Sequence, residues 1–353
     1  MSETPAPPGP GAPLVLGLDV GGTSTRCLVA DLRGRRVGCG QSGGANPHGV
    51  GMAVAVARIG EAVAGALAGV DPGRVVASVM GAAGFAAYAS LDGPFARMWE
   101  ATGLQGRPRV VGDALVGFCA GTSARDGTVV ISGTGAGAVQ VSDLEQSLVG
   151  DSLGWLLGDD GSGQWVGREA VRHLLAPRPG HGGELPDDPL SRAVRLAVVG
   201  RPTGSRDDLI RILYAGPPLA LSALAPLVVG LAREGDADAV AVVLGAVDRL
   251  ERSVQQVRPA GDDTPLVLTG GLFASELLLE QLTARLVARW PLASVVRSGS
   301  GAGGAAWLAA HEPAARQAAA RPSSLPVGGS GPDVVPPPDR HTALTRLPLA
   351  IDP

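Results

Sequence analysis

Short apolar runs that end in glycine or aspartate alternate along this chain with longer stretches of helical spacing. PLVLGLDVG reads as a first strand running into Gly21-Gly22, and STRCLVADLRGRRVGCGQS supplies two more strands with Arg33-Gly34 as the turn. GMAVAVARIGEAVAGALAGV reads as an apolar helix ending near Gly69, RVVASVMGAAG as a strand, PFARMWEATGL as a helix and RPRVVGDA as another strand. A second unit opens with GTVVISGTGAGAVQVSD, again an apolar strand, a small-residue turn and a returning strand; Gly21 and Gly133 lie about 110 residues apart, a weak internal repeat. From Asp236 to Val257, apolar residues at Val240, Val243, Leu244, Val247, Leu250, Val254 and Val257 mark one buried helix face. TPLVLTGGLF is a further strand, and LASVVRSGSGAGGAAWLAA a last strand, turn and helix. LGWLLGDDGSGQWVGREAV reads as strand, turn and helix start. Alternation of this kind predicts an α/β protein. The Pro/Gly-rich residues 1–13 and 321–353 are expected to be disordered.

A chain of 353 residues with 45% apolar content has room for two domains or one bilobal unit with real cores. The 53 glycines and 29 prolines fit an Ala/Gly/Arg-biased composition, so isolated glycines carry little weight. Net charge is −4 with no basic run, which argues against nucleic-acid binding. No stretch resembles a signal peptide or a membrane span, so a soluble cytoplasmic protein is expected. Cys27, Cys39 and Cys119 are scattered, and His48, His173, His181, His311 and His341 lack metal-ligand spacing. All 29 basic residues are arginine. A Walker A loop needs lysine, so the P-loop fold is excluded, along with chemistries built on a catalytic lysine.

Glycine turns close four strands, at Gly21-Gly22, Gly133-Thr134-Gly135, Gly270-Gly271 and Gly299–Gly304. The last, GSGAGG, has dinucleotide-fingerprint spacing, but that reading needs another strand and an acidic residue about 20 positions on, and only the Pro/Gly-rich tail follows. GTGAGA leads into the strand AVQV and is therefore a hairpin turn. Two such hairpins, facing each other across a cleft, could grip a triphosphate through backbone N–H groups, with Thr23 and Thr134 adding hydroxyls. Asp19, at a strand end before Gly-Gly, is placed to hold Mg²⁺ through water.

This combination resembles the sugar kinase/actin-type ATPase superfamily and, within it, the BadF/BadG/BcrA/BcrD ATPase family, which includes N-acetylglucosamine kinases. The likeness runs from about Leu14 to Ala310. GLDVGGTSTR looks like the family's first phosphate loop, ISGTGAGA like its second and LTGGLFAS like its adenosine loop. ANPHGVG, GDA at Gly112–Ala114 and LGWLLGDDGSG match its sugar-site segments. The resemblance implies a two-lobed fold of duplicated ribonuclease H-like domains. One lobe is expected over 14–115 with about 299–320, the other over 116–298. ATP and Mg²⁺ are the implied cofactors. Gly21, Gly22, Thr23, Ser24, Arg26, Gly133, Thr134 and Gly135 would hold phosphates, with Gly270, Gly271 and Gly303 near adenosine.

Asp113 matches the family's general base. Phosphoryl transfer needs an alcohol in line with the γ-phosphate and a carboxylate to take its proton late. Asn46 and Asp159 match sugar contacts, and Gly154 and Trp155 lie in the same segment. Relatives that phosphorylate N-acetylglucosamine usually read GDEGSA followed by an aromatic. Here Asp160 stands for Glu, and Gly163-Gln164 for Ala and the aromatic. A free 2-ammonium wants acceptors, and Asp159, Asp160 and the Gln164 carbonyl would supply them. The expected reaction is therefore ATP plus glucosamine giving glucosamine 6-phosphate, with N-acetylglucosamine or another hexose as the alternative acceptor. A homodimer is left open. Dehydratase activators of the same family need clustered cysteines for an iron–sulfur cluster, and these three are dispersed.

Overall fold

A computed structural model describes residues 11–88, 90–177, 185–201, 205–217, 219–320 and 337–345. The chain divides into two compact units: residues up to Ala124 with those from Arg297 onward, and Arg125–Val296. The disorder expected of residues 1–13 and 321–353 falls mostly on 1–10, 321–336 and 346–353, outside the described residues, as does His181.

The first unit holds β1 (Leu14–Val20), β2 (Ser24–Asp31), β3 (Arg36–Gly43), β4 (Val75–Ala82) and β5 (Arg109–Gly112), in the sheet order β3-β2-β1-β4-β5. β1 runs antiparallel to β2 and parallel to β4. Its near-continuous apolar run follows from cover on both faces. The cross-strand register aligns Gly17 with Leu28 and Leu28 with Cys39, so Gly17 lies on the face opposite Gly38 and Gly40. On one face the Met52–Ala66 helix approaches until a Cβ on Gly40 would lie 2.1 Å from Ala62 O. On the other, the Gly301–Ala309 helix folds back onto β1, and a Cβ on Gly17 would lie 2.2 Å from Ala302 O and Ala306 N. Glycine at these positions is what admits a helix backbone so near the sheet.

Two expectations are corrected in this unit. The Asp113–Gly121 helix belongs to it whole, because a Cβ on Gly304 would come within 2.2 Å of Val116 O; the boundary expected between 115 and 116 cuts through that helix. The tail is not uniformly unstructured, since Pro337–Thr345 forms a helix. Leu344 and Thr345 are buried, His341 Nε2 lies 2.7 Å from Cys119 O, and Ser300 N–H donates to Thr345 O at 2.9 Å.

The second unit repeats the plan. β6 (Gly127–Ser132), β7 (Ala136–Ser142), β8 (Glu145–Asp151), β9 (Leu266–Thr269) and β10 (Val295–Arg297) stand in the order β10-β9-β6-β7-β8. Reading β6–β10 as a second β1–β5, the two orders coincide, with the second and third strands antiparallel to their neighbours and the fourth parallel to the first. The Ala237–Val257 helix, capped by Asp236, buries Val243, Val247, Leu250, Val254 and Val257, while Val240 and Leu244 lie only partly covered. Gly154–Leu157 is a helical turn and not the expected strand. Asp151 and Ser152, both at positive φ (59° and 57°), end β8 before it. Among the described residues no single helix is long and apolar enough to cross a membrane.

Candidate active site

In the first unit, β1 delivers Asp19 to the sheet edge, where its cross-strand partner on β2 is Arg26. The β1–β2 connection is a tight hairpin: Gly21 N–H donates to Ser24 O at 2.9 Å, which leaves Gly22 and Thr23 exposed at its tip. Ala45 N–H donates to Gly21 O at 3.0 Å and so ties the Asn46 segment to the same tip. Asn46 Oδ1 accepts from His48 N–H at 3.0 Å, as an Asn-Pro turn requires, and His48 is exposed. Asp113 occupies the first turn of the Asp113–Gly121 helix, with its Oδ1 accepting from Ala114 N–H at 3.1 Å.

The Asp113 carboxylate acts on Asp19. Burial, and then the Asp113 charge, push the Asp19 carboxyl up to about 6, with Arg26 pulling the other way. Burial likewise raises Asp113, against the pull of the Ala114 N–H and its own. Behind Asp19 stands the Gly301–Ala309 helix, so near that a Cβ on Gly301 would lie 2.3 Å from Asp19 Oδ2. The electropositive helix N-terminus therefore backs that carboxylate.

In the second unit the β6–β7 hairpin closes through Gly133 N–H to Gly135 O at 2.9 Å, with Gly163 N–H donating to Gly133 O at 2.7 Å. The turn after β9 packs on its base: a Cβ on Gly270 (φ 114°) would sit 2.3 Å from Ser132 O, and Gly271 N is 3.9 Å from a Cβ placed on Gly133. Over the hairpin lies Asp159, whose Oδ2 would be 2.8 Å from a Cβ on Gly135. The Gly133–Gly135, Asp159 and Gly270-Gly271 segments thus converge within one unit. Asp159 itself sits at φ 55°, a left-handed conformation that few non-glycine residues adopt.

Three of the expected site residues are engaged by other groups of the chain. Gln164 is buried, and its Oε1 accepts from Ser222 N–H at 3.0 Å, so its carbonyl is spent on the core of the unit. Asp160 pairs with Arg168 at 3.2 Å and Arg249 at 3.7 Å, so its charge is already matched. Gly303 is buried beneath the Pro337–Thr345 helix, with a Cβ there 2.2 Å from Leu344 O, and its N–H is taken by the N-cap Ser300 Oγ at 3.2 Å. Trp165 is a core residue against Gly245, whereas Trp155, after Gly154 at φ 82°, is 41% exposed. Two further residues bear on the site: Gly301, expected in a turn near adenosine and found behind Asp19, and Asp151, not singled out in the sequence, whose two oxygens accept from Asp159 N–H and Asp160 N–H at 2.8 Å each. Gly301 lies within the GSGAGG turn, but nothing in that spacing points to Asp19, and no local pattern links Asp151 to the amides it holds.

The model of the BadF/BadG/BcrA/BcrD ATPase family matches residues 16–309. An N-acetyl-D-glucosamine kinase of Dictyostelium discoideum is 26% identical over 306 residues, covering 81% of this chain and 93% of that protein. Among solved structures, a protein of Chromobacterium violaceum provisionally named an N-acetylglucosamine kinase superposes with a TM-score of 0.65 at 23% identity, covering 85% of this chain and 99% of the other. A ROK family glucokinase of Streptomyces griseus, in complex with glucose and AMPPNP, gives 0.53 at 21% identity, covering 85% and 100%.

Proposed function

The chain belongs to the BadF/BadG/BcrA/BcrD ATPase family and has the actin-like sugar-kinase fold, and on that premise we propose that it transfers the γ-phosphate of ATP to the 6-hydroxyl of a hexosamine, N-acetylglucosamine ahead of glucosamine. The observation that carries the reading is the carboxylate pair of Asp19, at the end of β1 before an open glycine hairpin, and Asp113, in the first turn of the Asp113–Gly121 helix. Asp113 is the general base. Burial raises its pKa, which makes the carboxylate a stronger base, and its place in the first turn of a helix keeps it fixed. The sugar oxygen attacks the γ-phosphorus, the bond from that phosphorus to the β,γ-bridging oxygen breaks, ADP leaves, and the hydroxyl proton passes to Asp113 and on to solvent.

In the first unit the Gly22 and Thr23 backbone N–H groups and the Thr23 hydroxyl are assigned to phosphate oxygens, and in the second unit the Gly133–Gly135 turn with its Thr134 hydroxyl is assigned the same role. Within the second unit Gly270-Gly271 is assigned to the adenosine and Asp159 to the sugar; within the first, Asn46 is assigned to a sugar hydroxyl. Asp19 suits the magnesium that accompanies ATP, because burial and the neighbouring Asp113 leave its charge under-compensated. That ion, when bound, neutralises charge on the phosphate oxygens.

The preference for the N-acetyl sugar rests on the loop around Asp159. Two of the three acceptors expected for a free ammonium are committed elsewhere, Gln164 to Ser222 and Asp160 to two arginines. The adjoining Gly154–Leu157 turn instead exposes Trp155, Leu156 and Leu157, an apolar surface suited to an acetyl methyl. Coupled ADP release measured with N-acetylglucosamine, glucosamine, glucose and no sugar tests this. The highest kcat/KM is expected for N-acetylglucosamine. A higher value for glucosamine would restore the free-amine reading, and ADP release independent of any sugar would contradict a sugar kinase.

A further inference from the structure

Asp151 ends β8 in a left-handed conformation (φ 59°) and turns its carboxylate back across the Gly154–Leu157 turn. Its Oδ1 accepts the N–H of Asp159 and its Oδ2 the N–H of Asp160, each at 2.8 Å. Both oxygens of one carboxylate thereby hold two consecutive peptide groups eight and nine residues along the chain. The fit is close: a Cβ on Gly158 would lie 2.0 Å from Asp151 Oδ1, so residue 158 must be glycine for the carboxylate to reach. The peptide it grips is the one that carries Asp159 at φ 55°. Few non-glycine residues adopt that conformation, aspartate among the more tolerant, and a definite set of partners fixes it. Charge-assisted hydrogen bonds to backbone N–H groups are strong enough to do so.

We propose that Asp151 is the positioning residue of the sugar site: its carboxylate, bridging the Asp159 and Asp160 amides, sets the backbone from which Asp159 reaches the acceptor sugar. The inference deepens the proposed kinase function and rests on it for the identity of what Asp159 holds. Asp160, paired with Arg168 and Arg249, pins the far side of the same loop. Asp159 Oδ2, lying against Gly135, is then fixed relative to the β6–β7 hairpin, so an error in its backbone also becomes an error in its distance from that turn.

Asp151→Asn isolates the claim. Asparagine keeps the size but offers one oxygen and one NH2, so one of the two peptide N–H groups would face a donor. Misplacing a positioned group by about 1 Å costs up to 10²-fold, so kcat/KM for N-acetylglucosamine should fall by roughly 10- to 100-fold. In the Asp159→Asn background the same substitution should cost less than about threefold, because residues acting through one another are not additive. Equal losses in both backgrounds would overturn the proposal, since a merely structural role would be felt in either. If Asp151→Asn does not fold, Gly158→Ala, which displaces the same carboxylate, takes its place in the cycle with the same two outcomes. Amide hydrogen exchange separates this inference from the functional reading. Should the wild-type protein phosphorylate no hexosamine, that reading fails, yet faster exchange at Asp159 and Asp160 in Asp151→Asn, with β6 unchanged, would still support the clamp. Unchanged exchange at both amides would contradict it.

Discussion

Asp19 Oδ2 packs against Gly301 so tightly that a Cβ at residue 301 would lie 2.3 Å away. Gly301 opens a helix, where alanine is otherwise the better residue, so Gly301→Ala asks only that the Asp19 side chain move. Stability should change by less than about 1 kcal/mol, while sugar-dependent ADP release falls by about tenfold or more as the carboxylate leaves its place. Parallel thermal melts and turnover measurements check this. A large drop in Tm with full activity in the residual folded protein would contradict it.

The raised Asp19 pKa makes stability depend on pH in a definite direction. In the folded state the group titrates near 6, against 3.8 as its ordinary value. The folded state therefore binds more protons between these values, and the stability tied to neutral Asp19 is present below about 4 and lost as pH rises through about 6. Asp19→Asn removes that loss. The variant should be more stable than wild type at pH 7–8 by about 1–3 kcal/mol, with the advantage gone near pH 4, as read from urea denaturation at the two pH values. An advantage independent of pH would show that Asp19 is not the titrating group.

Gly17→Ala drives a methyl into the backbone of the facing helix, 2.2 Å from both Ala302 O and Ala306 N. A backbone cannot yield as a side chain can. The variant should lose about 3 kcal/mol or more, or fail to accumulate as folded protein. Chemical denaturation or soluble yield measures it.

The Pro337–Thr345 helix is part of the first unit's core. Leu344 is 1% exposed and its carbonyl covers Gly303. Leu344→Ala should cost about 2–4 kcal/mol, seen as a lower denaturation midpoint. A change within about 0.5 kcal/mol, the ordinary range for surface positions, would mean the helix is not docked in solution.

Much of this architecture is legible in the sequence because each signal is local. The first strand and its Gly-Gly turn, the repeat at Gly133, and the helix face from Val243 to Val257 all follow from periodicity and turn chemistry. The C-terminal helix was hidden by composition: PPPDR reads as a linker, yet proline is tolerated in a first helical turn, and His341, Leu344 and Thr345 share one face. The commitments of Asp160 and Gln164 depend on Arg168, Arg249 and Ser222, the last two far along the chain. No local pattern announces those partners, and the same is true of the span from Asp151 to Asp159. The Asp159 segment stands out in the sequence only by its resemblance to known sugar-site segments, and the partners of its neighbours are set by the fold.

In the proposed reaction Asp113 takes the proton of the acceptor hydroxyl. Sugar-dependent ADP release by Asp113→Asn, measured beside the wild type at saturating ATP with N-acetylglucosamine varied, tests it most directly. General-base loss should lower kcat by about 10²–10⁴-fold with KM for the sugar changed far less. Near-normal kcat in a folded Asp113→Asn protein would contradict the account.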